Sequence, residues 1–92
     1  MVKGPNELRN VLKKFLAYSD IFVKERTIVA NGLAGFNDPS QNDATVLVKL
    51  KAQLSSLAMA QTLSSRGVAL LACLEKEFPR MPYKSIGLSW LF

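Results

Sequence analysis

The chain has 92 residues, of which 49% are apolar and 9% aromatic; twelve Lys or Arg against seven Asp or Glu give a net charge of +5, and there is no histidine. A length of this order makes one small domain that buries only about two thirds of its unfolded surface, and an aliphatic composition without disordered bias fits packed helices. Without histidine the commonest general base and metal ligand is missing, and the single thiol, Cys73, excludes an internal disulfide and a cysteine-based zinc site.

Gly4-Pro5-Asn6-Glu7 reads as a helix start, with Asn6 as acceptor for the orphan amides and Glu7 at the positive end of the dipole. Leu8, Val11, Leu12, Phe15 and Leu16 then form a single-sided stripe, opposite Arg9, Asn10, Lys13 and Lys14, over a helix spanning 6–18. Ser19-Asp20 offers the next cap. Phe22, Val29, Leu33 and Phe36 trace a helix over 20–35 that ends where Gly32 and Gly35 lower its propensity. Asn37-Asp38-Pro39-Ser40 is a turn, because Asn and Asp bond their own backbone and proline bars continuation.

A cap near Asn42 or Asp43 opens a third helix, 43–61, carrying Leu47, Leu50, Leu54 and Leu57 at three-and-four spacing. After Leu63-Ser64-Ser65-Arg66-Gly67 interrupts the rhythm, Val68, Leu71, Leu74 and Phe78 repeat it over 64–78, and Pro79 stops the helix. A last helix starts at about 82. No segment alternates long enough to be a strand. The expected fold is all-α: short helical hairpins in one domain of residues 1–92, with 1–18 an N-terminal amphipathic helix.

Chemistry finds little support. Glycines 32, 35 and 67 lack the spacing of a phosphate-binding loop, Glu75 and Glu77 point in different directions, and Ser55-Ser56 and Ser64-Ser65 have no base and read as turn and surface serines. We therefore expect no enzyme, no cofactor and no metal. Cys73 reads as a small core hydrophobe in a reducing compartment. The longest apolar run, Val68 to Leu74, is too short to cross a bilayer, and Met1-Val2-Lys3-Gly4-Pro5 lacks the core of a secretory signal. Basic residues are scattered, with Lys13-Lys14 the only adjacent pair, so the charge reads as a solvated surface rather than a nucleic-acid or membrane site.

The offsets within the third and fourth helices resemble a tetratricopeptide repeat (TPR): Leu54-Ser55, Ala58, Gly67, Leu71 and Pro79 fall in place, while Lys51 and Ala58 replace the usual rings. Tyr83-x-x-Ile86-Gly87-x-x-Trp90 matches the opening of such a repeat, thirty-two residues beyond Lys51-x-x-Leu54-Ser55-x-x-Ala58. A TPR-like antiparallel helix array over 20–92 follows. Leu33-Ala34-Gly35-Phe36-Asn37-Asp38-Pro39, the helix Ala44 to Leu57, the Gly67-x-Ala69-Leu70 step and the Trp90-Leu91 end further resemble the TPR-type chaperones of type III secretion needle subunits, the YscG/PscG/EscG family.

That resemblance implies a bacterial cytoplasmic protein of a virulence machine, working in a hetero-oligomer with a needle subunit and a small helical co-chaperone. Its concave face would hold the amphipathic needle-subunit helix and prevent premature polymerisation. Leu47, Leu50, Leu54 and Leu57 would line this partner groove, with Ile86 and Trp90 closing one side, and Leu8, Leu12, Phe15 and Leu16 would dock the co-chaperone. Two other readings stand. Asp38-Pro39-Ser40 before a long helix, and Met59-x-x-Thr62-Leu63-x-x-Arg66-Gly67-Val68, also look like a needle or inner-rod subunit, against which Pro79 and Pro82 break the terminal helix. The net charge of +5 leaves a small basic nucleic-acid-binding regulator.

Overall fold

A computed structural model of the protein describes residues 5–79 as four helices: α1 Pro5–Leu16, α2 Val23–Phe36, α3 Asp43–Met59 and α4 Ser65–Glu77. There is no strand among the described residues, and the helix expected from about residue 82 lies outside them. The architecture is an all-α array of antiparallel hairpins in which α1 packs on α2, α2 on α3 and α3 on α4.

The expected stripe builds α1: Leu8, Leu12 and Phe15 are buried while Lys13 and Lys14 are exposed. The helix begins at Pro5, where a missing amide proton costs nothing, so Asn6 sits inside the first turn and its Oδ1 accepts from Arg9 Nη1 at 3.2 Å. Arginines close the first hairpin at both ends. Arg26 donates to the carbonyls of Leu16 and Tyr18, both at 3.0 Å, and Arg9 Nη2 donates to the carbonyl of Phe36 at 3.2 Å. Each helix thus satisfies carbonyls that the other leaves open at its C-terminus.

The start and the end of α2 differ from expectation. The helix starts three residues past Asp20, with Phe22 as N-cap; a phenylalanine ring accepts no hydrogen bond, and Glu25 instead accepts from the Phe22 amide at 2.5 Å. Phe22 therefore lies outside the buried stripe, 52% exposed, and Ile21 is buried beside it. At the other end the helix runs through both glycines to Phe36. A Cβ on Gly35 would stand 3.0 and 3.1 Å from the two γ-carbons of Val46, and one on Gly32 would stand 3.2 Å from Leu50 Cδ1. The bare backbone is what lets α2 approach α3 this closely, and Val46, stiff at χ1, has little room to give way.

Asp38 organises the α2–α3 turn by accepting from the amide and hydroxyl of Ser40 at 2.9 and 2.7 Å, bonds that hold its carboxyl below the usual range. Asn42 caps α3 as expected, accepting from the Thr45 amide at 3.1 Å. At the far end Gln61 takes a left-handed conformation, φ 57°, while the Thr62 amide reaches the Leu57 carbonyl and the Gln61 amide reaches that of Ala58. These are the two bonds of a Schellman motif, built without its usual glycine. Gln61→Gly is accordingly expected to raise unfolding stability by about 0.5–1 kcal/mol, the relief of the left-handed Cβ less glycine's entropy cost. The midpoint of urea unfolding measures it.

Ser64 caps α4, its Oγ accepting from the Gly67 amide at 3.1 Å, and it is buried rather than the surface serine expected. The buried face of α4 is Gly67, Leu70 and Leu74, continued by Phe78 just past its end, with Leu71 half-buried, while Val68 points outward. Among the described residues, buried apolar side chains contributed by all four helices, by Ile21 before α2 and by Phe78 after α4 form one cluster.

Candidate functional site

The side chains expected to line a partner groove lie elsewhere than on an open surface. Leu47, Leu50 and Leu54 are only 1%, 2% and 0% exposed, and α2 and α4 occupy the flanks of their helix. Leu57 is half-buried, and Ile86 and Trp90 lie outside the described residues. The stripe assigned to co-chaperone docking is likewise interior at Leu8, Leu12 and Phe15, with Leu16 half-buried. Physically, the aliphatic face of α3 is covered because Gly32 and Gly35 let α2 approach it closely.

Among the described residues, an apolar opening lies on the side of the array where α1 and α4, the outer helices of the chain order, stand next to each other. Val11, Lys14, Phe15 and Tyr18 from the C-terminal part of α1 and its exit face Arg66, Ala69, Leu70 and Cys73 from the N-terminal part of α4. Both sets follow i, i+3, i+4, i+7, so each is one helical stripe about two turns long, roughly 10 Å. They bound a groove of about 290 Å³. Its floor is apolar: Phe15 and Leu70 belong to the core cluster and Val11 packs against it. Cys73, half-buried, lies in the wall rather than in the core where the sequence placed it.

One end of the groove is fixed by charge. The Arg66 guanidinium lies 3.6 Å from the centroid of the Tyr18 ring, and its Nε donates to Asp20 Oδ1 at 2.7 Å. This ties α4 to the exit of α1 by a cation–π contact and an ion pair at once. The hydrogen bond from Arg66 lowers the Asp20 pKa. A depressed folded-state pKa contributes stability that is present above the unfolded value and lost as pH falls through the folded one. Arg66→Gln is expected to return Asp20 toward its ordinary value, which a carboxyl-carbon NMR titration reads directly.

Beneath that end lies Glu25, fully buried. One carboxylate oxygen accepts from the Phe22 amide at 2.5 Å and the other from the Ser64 amide at 3.0 Å. Phe22 and Ser64 are the N-caps of α2 and α4. The carboxylate therefore sits between two helix N-termini, whose unpaired amides and dipoles offset its burial in place of a cation. Gly67 is what admits it, since a Cβ there would overlap Glu25 Oε1. The sequence reading missed both roles of this residue; the available signal was an acid three positions past the real cap.

A larger crevice of about 590 Å³ between α2 and α3 has mixed walls, but its Asp38, Gln41 and Asn42 are engaged in the turn and the α3 cap. Lys51, at the position where a TPR carries a ring, is half-buried; burial lowers its pKa and Glu75 opposes the shift. Among the described residues no group of three potential metal ligands occurs, and no helix is long and apolar enough to cross a membrane.

The fold and groove define an all-α helical-hairpin array with an apolar cleft between its outer helices. No family model, curated protein or solved structure matches the chain.

Proposed function

We propose that the chain is a chaperone that holds an amphipathic helix, the role implied by its resemblance to needle-subunit chaperones of type III secretion. In that role it works in the bacterial cytoplasm beside a small helical co-chaperone and keeps a needle subunit from polymerising, by covering the apolar helix face through which subunits associate. The observation that carries this reading is the α1–α4 groove, an apolar-floored cleft of about 290 Å³ lined by one helical stripe from each of two helices. Leu47, Leu50 and Leu54 act from behind it, as packing that holds the array together. At the co-chaperone side, Leu16 with the exposed Phe22 and Val23 is the apolar surface available near the exit of α1.

Co-expression with a needle subunit tests the reading. The expected result is a soluble hetero-oligomer of fixed stoichiometry by size exclusion with light scattering, in which the subunit forms no filaments. Filaments of this chain alone would overturn the proposal in favour of a rod or needle subunit. Nucleic acid retained at low salt and released steeply as salt rises would overturn it in favour of a basic regulator.

A further inference from the structure

We infer that the α1–α4 groove selects a helix flanked by acidic side chains, a partner chemistry that rests on the helix-holding reading and makes it specific. Along the rim, Arg66 is neutralised by Asp20, whereas Lys14 is exposed and has no ion-pair partner among the described residues. The α1 wall thus presents cationic charge beside an apolar floor made by Val11, Phe15 and Leu70. A helix that places apolar residues at i, i+3 or i+4, and i+7 on the floor, and a Glu or Asp beside that stripe, satisfies both features. A helix with Lys there is repelled. Such rim charges set association and discrimination more than total affinity, and they weaken with salt.

Cys73 supplies the reporter, because it is the chain's single thiol and stands in the groove wall. The probes are two synthetic amphipathic peptides of about fourteen residues, four helical turns, with identical leucine stripes and either Glu or Lys beside them. With the full chain, the Glu peptide is expected to bind and to slow the reaction of Cys73 with a small thiol reagent. Lys14→Glu should weaken that binding by about tenfold and reverse the preference between peptides. Ala69→Trp, which fills the groove from an exposed position without touching the core, should abolish protection of Cys73 while helicity by circular dichroism is retained.

Equal binding of both peptides would overturn the charge selection and leave helix holding intact. Binding without protection of Cys73, or unaffected by Ala69→Trp, would place the helix elsewhere and overturn this groove. Failure of both peptides to bind would count against helix holding itself. A thiol already unreactive in the free chain would mean that residues beyond Pro79 or a second copy fill the groove, and would overturn the inference.

Discussion

Replacing Glu25 with alanine is expected to lower the unfolding free energy by about 2–5 kcal/mol, a large share of what a domain of this size possesses. The loss has two parts. The amides of Phe22 and Ser64, which the carboxylate satisfies, would be left without their acceptor in the protein interior. A cavity would also open between the starts of α2 and α4. Glu25→Gln separates the two contributions, because it keeps the volume but turns a donor toward one of the amides; it should cost about 1–3 kcal/mol. Chemical denaturation of the three proteins, followed by far-ultraviolet circular dichroism, gives the comparison. Variants that unfold at the same denaturant concentration would show that the carboxylate contributes nothing to folding.

The second large effect falls on Leu54. It is wholly buried in the cluster that joins all four helices, and Leu54→Ala should cost about 2–5 kcal/mol through lost burial and the void left behind. Leu57→Ala, three residues on and half-buried, should cost distinctly less. The difference matters for function as well as for stability. A loss of partner binding in Leu54→Ala would report a loosened array, whereas the exposed Ala69 and Lys14 report the groove without that confusion. The same denaturation measurement, made on both leucine variants, checks the ordering.

Much of the helical framework was legible because apolar spacing of three and four is a local property. The stripes of α1 and α3, the Asn42 cap and the Asp38 turn all follow from residues within one or two turns of each other. Where local pattern was ambiguous, tertiary contacts decided. The run Val68 to Leu74 is apolar on every side, so spacing alone could not choose its inner face; Gly67 against Glu25 turns Leu70 inward and Val68 outward. The α2 start was misplaced for a related reason. Ser19 and Asp20 have the chemistry of a cap, but Asp20 is held by Arg66, forty-six positions away, and Glu25 takes over at Phe22.

The groove was the least legible feature. The resemblance assigned the aliphatic face of α3 to a partner, but a pattern within one helix takes no account of how near α2 can come. Gly32 and Gly35 set that distance, and within the local pattern they count only as weak helix formers, not as contact surfaces. The open channel arises instead from α1 and α4, whose facing stripes, Val11 to Tyr18 and Arg66 to Cys73, are far apart in sequence and share no motif.

The burial of Glu25 fixes the seating of the second hairpin on the first. Aliphatic ridges by themselves tolerate a slip of one turn, about 5.4 Å, since a leucine fits many hollows nearly as well as one. An acceptor that must meet the Phe22 and Ser64 amides together tolerates no such slip. Sliding α4 by a turn would strand the carboxylate and carry Arg66 away from Tyr18. Only one alignment of the hairpins is therefore compatible with a satisfied interior, and it is the alignment that sets Ala69 and Cys73 opposite Val11 and Lys14.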